Sequence, residues 1–278
     1  MLVKMLMMGA LLAALPAGLS QDRGPQTISL ELFQGKQFTV QASVGGRERT
    51  FLFDTGEGVT MITPALARDL GCEPWGNVTA FRMTGERLDL PRCDDVAFKM
   101  GNHAYTAPTT IVYDLGKLDA DTARLDGSIG LDLFAGRIIT IRFARRQIVI
   151  ETPGSLAARM KSGLEVPVRL VRGAEGAALD VNIGVNTPRG RAWMELDSAN
   201  AGPTIFVSPQ IAPHLGLRAD IRTAQPVSAT IRRDVVFTGQ ARVFPNMIMD
   251  GNIGMQLMGR RDLTVDLGSG RAWIGKAQ

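Results

Sequence analysis

Two aspartates, Asp54 and Asp197, each end a largely apolar run and precede a small hydroxyl residue. The first lies in Phe51-Leu52-Phe53-Asp54-Thr55-Gly56 and the second in Trp193-Met194-Glu195-Leu196-Asp197-Ser198-Ala199. Two carboxyl groups held close together cannot both ionise easily, so they share one proton and titrate as a pair. The ionised member can take a proton from a water, while its protonated partner donates to the oxyanion or leaving group. That chemistry is hydrolysis by an activated water. It requires neither a metal nor a cofactor.

Such a pair needs rigid supports. Each apolar run reads as a buried strand that carries its aspartate out of the core, and Gly56 reads as a turn residue with backbone angles closed to others. The surrounding pattern is strand-rich. Thr27–Leu32 and Phe38–Val44 alternate in polarity, Gly45-Gly46 signals a turn, and Thr50–Phe53 returns. Residues 61–71 read as a short helix with Thr63 as cap, Pro64 in its first turn and Gly71 at its end. Residues 78–100 read as strands with a hairpin near Met83-Thr84-Gly85-Glu86, and Thr109–Tyr113 as a further strand.

Three blocks then recur in the same order. The strand bearing Asp54 is matched by that bearing Asp197. Ile62–Gly71 is matched by Val207–Gly216, and Leu125-Asp126-Gly127-Ser128-Ile129-Gly130-Leu131 by Met249-Asp250-Gly251-Asn252-Ile253-Gly254-Met255. Closing strand pairs follow each, at 138–150 and 263–274. This ordered recurrence reads as an internal duplication. It predicts a mainly β protein with two lobes, residues 21–155 and 156–278, a cleft between them, and a short polar connector around 156–163 with one or two helical turns.

These residues resemble the aspartic proteases, and more closely the bacterial retropepsin-like aspartyl protease family, over about residues 27–150 and 164–276. The resemblance rests on Asp54-Thr55-Gly56 with Ile129-Gly130, and on Asp197-Ser198-Ala199 with Ile253-Gly254. It implies an all-β bilobal fold in one chain and an exported endopeptidase with Asp54 and Asp197 as the catalytic dyad. Thr55 and Ser198 would then bind each other's lobe, with Gly56 and Ala199 completing the supporting loops. A flap from about Phe81 to Leu88, with Met83, Thr84 and Gly85 at its tip, would close over a peptide or protein substrate. Two departures stand out: Ala199 where the family prefers glycine, and Glu57 where it prefers a small or hydroxyl residue. Alanine makes a positive φ costly, and a third carboxylate raises the dyad's proton affinity unless an arginine pairs with it. A catalytically weak or inactive peptide-binding protein on the same scaffold is therefore the alternative reading.

Composition sets the boundaries. The 278 residues are 45% hydrophobic with 31 glycines, which allows a substantial core and many turns. The net charge of +4 is scattered, as in Arg145-Arg146 and Arg260-Arg261, so nucleic-acid binding is not expected. His103 and His214 are isolated, so no metal site is expected. Ser128 lacks the flanking glycine spacing of a nucleophile elbow.

Residues 1–20 read as a signal peptide: Lys4, an apolar stretch from Met5 to Leu15, and small residues up to a cleavage site near Ser20. An uncleaved membrane anchor is the other reading, but the stretch is shorter than the roughly 20 residues a spanning helix needs. Periplasmic or secreted localisation, no stable anchor after cleavage and a monomeric state follow as expectations. Cys72 and Cys93, the only cysteines, suit a disulfide in an exported protein, or else two separate buried thiols.

Overall fold

The computed structural model describes residues 24–117 and 119–276. The expected signal peptide, residues 1–20 with its cleavage near Ser20, lies outside the described residues. Gln26–Phe33 (β1), Gln37–Val44 (β2) and Arg47–Phe53 (β3) form an antiparallel meander. Gly45 and Gly46 both have positive φ, as the tight turn between β2 and β3 requires. After Met61–Ile62 (β4) comes helix α1, Pro64–Asp69, whose first turn is capped by the Thr63 side chain accepting the Leu66 N–H. Trp75–Phe81 (β5) and Arg87–Met100 (β6) form the expected hairpin, and His103–Val112 (β7) pairs with β6. Gly127–Ile129 (β8) lies parallel to β3. Ile138–Arg142 (β9) and Gln147–Ile150 (β10) close the first half.

The connector is more regular than its polarity suggests. Pro153–Ser162 (α2) is a ten-residue helix, opened by a capping box between Thr152 and Ser155. At 3.6 residues per turn it makes nearly three turns where one or two were expected. Segments 164–171 and 225–243, unassigned from sequence, supply Leu164–Val166 (β11), Val168–Val171 (β12) and the hairpin of Gln225–Arg232 (β16) with Val235–Val243 (β17). Between them lie Asp180–Thr187 (β13), Gly190–Leu196 (β14) and Thr204–Val207 (β15). Gly251–Ile253 (β18), helix α3 (Met255–Met258), Arg261–Asp266 (β19) and Arg271–Lys276 (β20) complete the chain. The match to α1 is looser than its sequence implied. Ala212–Leu215 forms only a 3-10 turn, closed by Gly216 in the left-handed region at φ 73°.

A larger sheet runs β11-β20-β19-β9-β10-β1-β2-β3-β8-β4-β7-β6-β5, and a smaller one β12-β13-β14-β18-β15-β17-β16. The fold is therefore mainly β. The closing strands of the two halves pair with each other, β9 against β19 with Ile141 opposite Leu263. One sheet thus runs beneath both halves, and one apolar cluster reaches from Ile28 in β1 to Ile274 in β20. A disulfide joins Cys72, just past α1, to Cys93 in β6, with alpha carbons 6.2 Å apart. Among the described residues no helix is long and apolar enough to cross a membrane.

Candidate active site

Asp54 and Asp197 each leave the end of a buried strand in the same way. The Asp54 N–H donates to the Ile129 carbonyl and the Asp197 N–H to the Ile253 carbonyl, each at 3.1 Å. The parallel registers also match, with Phe53 opposite Ile129 and Leu196 opposite Ile253. Asp126 and Asp250 brace the two Asp-bearing strands. Their carboxylates accept the backbone N–H of Thr50 (2.9 Å) and Trp193 (2.8 Å), each four residues before its aspartate.

The hydroxyl residues tie the loops together across the two halves. Thr55 Oγ1 donates to the Leu196 carbonyl at 2.7 Å and accepts the Ser198 N–H at 3.0 Å. Reciprocally, Ser198 Oγ donates to the Phe53 carbonyl at 3.0 Å and accepts the Thr55 N–H at 3.0 Å. Both side chains are buried, where four satisfied bonds hold a fixed geometry and an orphaned group would be costly.

Gly56 is needed for a reason other than the expected one. Its φ is not positive; rather, a Cβ there would fall 2.7 Å from Cβ and Cγ of Asp197. The position is glycine because the two aspartate loops approach so closely. Ala199 likewise has no positive φ, so the strain expected of it is absent. It lines the same cavity as Asp54, and its carbonyl accepts from Gln37 Nε2 at 3.3 Å.

The two aspartates are held unequally. Asp197 Oδ1 accepts the N–H groups of Ala199 (2.7 Å) and Asn200 (3.0 Å), and its Oδ2 accepts Asn252 Nδ2 at 2.7 Å. Asp54 Oδ1 accepts the Gly56 N–H at 2.9 Å. The Asp54 carboxyl is pushed well above the usual carboxylate range, first by loss of water around it and then by the neighbouring Asp197 charge, with which it shares a hydrogen bond. This arrangement suits a proton resting on Asp54 and a charge resting on Asp197.

Among the described residues no arginine forms an ion pair with Glu57. Ser128 Oγ donates to its Oε1 instead, and desolvation together with Asp54 pushes its carboxyl well above the usual range. Three more carboxyls lie close by. Glu195 is raised by burial and by Asp180 and Asp197. Asp180 is pushed up to about 7 by burial and the Asp132 and Asp197 charges, and its Oδ1 has no partner among the described residues. Asp132, which accepts the N–H and hydroxyl of Thr60, is pushed up to about 6 by burial. Among the described residues no group of three or more His, Cys, Asp or Glu could hold a metal ion.

A cavity of about 310 Å³ opens beside the dyad. Leu52, Met61, Leu88, Leu90, Tyr113 and Leu115 form its apolar wall, while Asp54, Glu57, Arg82 and Asp119 supply its polar rim. The β5–β6 hairpin turn forms the expected flap shape, but Met83, Thr84 and Gly85 are not in the cavity wall. The tip reaches the other half instead: the Ile248 N–H donates to the Met83 carbonyl at 3.0 Å. His103 opens β7 and His214 lies within the 3-10 turn, and neither lines the cavity. Sequence reasoning missed Asn252 and Asn200 as site residues. The available signal was a polar residue in the middle of an otherwise apolar three-residue strand.

Residues 40–133 match the protein-family profile described as Aspartyl protease. That span includes Asp54 and Ile129-Gly130 and ends before Asp197. No curated protein matches the chain. Among solved structures, basic 7S globulin from soybean aligns with a TM-score of 0.58 at 9% identity, covering 91% of this chain and 96% of its own. Conglutin gamma, a unique basic 7S globulin from lupine seeds, aligns with a TM-score of 0.53 at 9% identity, covering 91% and 95%. At that identity the likeness is one of fold. The profile match is confined to residues 40–133 of the 278.

Proposed function

We propose that the chain is an aspartic-type endopeptidase in which Asp54 and Asp197 activate one water against a peptide bond. The carrying observation is the cross-braced pair of loops, where Thr55 and Ser198 exchange two hydrogen bonds and each donates one more to a backbone carbonyl of the other half, Leu196 and Phe53. Asp197 would act as the base that takes the water's proton. Asp54 would donate its proton to the carbonyl oxygen; Asp197 would then pass the water's proton to the leaving amine while Asp54 recovers a proton from the diol hydroxyl as the carbonyl re-forms. The apolar wall beside Asp54 suits a large apolar substrate side chain in an extended peptide. The Cys72–Cys93 bond is consistent with export, and sequencing of the mature N-terminus would check it by locating a start near residue 21.

Asp54→Asn and Asp197→Asn should each reduce peptide cleavage by about 10²–10⁴-fold, the range of general acid–base catalysis, with the thermal transition retained. A second reading, a peptide-binding protein without catalysis, is favoured by the globulin identity of both structural neighbours. Cleavage of a mixed peptide library across pH 3 to 8, a range that brackets titration of a carboxyl pair, decides between them. Binding without cleavage by the unaltered protein at every pH would refute the peptidase reading.

A further inference from the structure

We propose that Asn252 is a positioning residue of the dyad: it orients Asp197 and determines which aspartate carries the shared proton. The inference rests on the dyad reading above but is tested separately. Asn252 is 1% exposed and central in β18, a strand buried at all three positions. An amide there is tolerated only if its groups are bonded. Its Nδ2 donates to Asp197 Oδ2 at 2.7 Å and to Glu195 Oε2 at 3.1 Å, and its Oδ1 accepts Asn200 Nδ2 at 2.8 Å. An ionised carboxylate only accepts, so the NH₂ end must face Asp197, and the Asn200 amide locks that orientation from behind. Asn200 also donates its backbone N–H to Asp197 Oδ1. Both oxygens of Asp197 are therefore held by this asparagine pair.

The first half lacks such a device. Ser128 stands opposite Leu52 just as Asn252 stands opposite Glu195 in the parallel registers. Glu57 follows Asp54 at the same distance as Asn200 follows Asp197. There the hydroxyl donates to Glu57, not to Asp54. The titratable groups facing the asparagine pair are Asp197, Glu195 and, through them, Asp54 and Asp180. None of these is a cation, so removing the amide donor leaves Asp197 with only the Ala199 and Asn200 N–H groups on its Oδ1 and takes away the donor to its Oδ2.

The test uses Asn252→Leu and Asn200→Ala in the full chain. Asn252→Leu should move the acid limb of the pH–rate profile up by about one pH unit and lower kcat about tenfold with KM within about twofold. Asn200→Ala should act in the same direction with a smaller shift. Carbon-13 titration of labelled aspartate carboxyls, recorded without substrate, should show the lowest-titrating step of the pair rising in both variants. If that step stays in place in the folded variants, the positioning role is overturned, whatever the cleavage result. If the step rises while the unaltered protein cleaves nothing, the role stands and the peptidase reading falls. Should Asn252→Leu not fold, Asn200→Ala decides alone.

Discussion

Glu57 shows how a single side chain changes meaning once its surroundings are known. From the sequence it is a third charge beside a carboxyl pair. In the fold it faces a cavity that Arg82 also lines but forms no ion pair among the described residues; Ser128 hydrogen-bonds it, and its proton is held by lost water and by Asp54. A neutral Glu57 exerts no field on the charged member of the pair. Glu57→Gln should therefore leave the acid limb of the pH–rate profile within about 0.3 pH unit, since neighbours shift a titration mainly through charge. A drop of half a unit or more would mean that Glu57 is ionised during cleavage. Gly56 and Ala199 illustrate the same scale. The two equivalent positions differ in residue type because a side chain at 56 meets Asp197, and neither backbone needs a positive φ.

At the scale of elements, the β5–β6 hairpin is the part that reaches from the first half to the second. Its turn is internally bonded, with Arg82 N–H to the Glu86 carbonyl at 2.9 Å and Gly85 N–H to the Arg82 carbonyl at 2.8 Å. Its tip is latched to the other half by the Ile248 N–H on the Met83 carbonyl. A Cβ on Gly85 would lie 3.0 Å from Ile248 Cγ2, so the approach is tight as well as bonded. On the peptidase proposal, substrate entry requires this latch to part. Ile248→Pro removes the donor, whereas Ile248→Ala keeps it. The proline variant should raise amide exchange in residues 82–86 by about fivefold, the worth of one backbone hydrogen bond of about 1 kcal/mol. Equal exchange in the proline and alanine variants would show that the bond is not what holds the flap down.

At the scale of the molecule, the shared sheet and a buried polar network join the halves. Across β9 and β19, Thr140 Oγ1 lies 2.8 Å from Thr264 Oγ1, and Arg142 Nε donates to Asp262 at 2.9 Å. Arg159 of α2 binds Glu151 at 2.9 Å and lies 3.8 Å from Asp262, fastening the connecting helix to that sheet. The carboxyl groups around the cleft have the opposite effect on stability. Asp132 (about 6) and Asp180 (about 7) hold protons more tightly when folded than their ordinary value of 3.8. Their stabilising contribution is thus full below about pH 4 and is lost as pH rises to about 7, because the unfolded chain ionises first. The thermal midpoint should fall over that interval. Asp180→Asn should shrink the fall, each kcal/mol of relief at pH 7 being worth about 2–4 °C. A midpoint in Asp180→Asn with the same pH dependence as the unaltered protein would contradict this assignment.

The strand content, the two Asp-bearing runs, the capped helix after Thr63 and the hairpin at 82–86 were legible in the sequence, because period-two polarity, caps and turn residues are local physics. So were the residues that meet at the cleft, since each aspartate ends its own apolar strand. The hairpin of β16 and β17 was not legible. Pro226 interrupts its first strand signal, and the pairing that satisfies it lies across the hairpin and with β13. Which side chains support the aspartates was decided only by tertiary structure. The polar residues at 128 and 252 are separated from their partners by 71 residues for Glu57 and by 55 for Asp197. Parallel pairing of distant strands brings them into contact, and no local pattern encodes that register. The joining of β9 to β19 and the reach of the flap to Ile248 are of the same kind: contacts between surfaces that exist only after each half has folded.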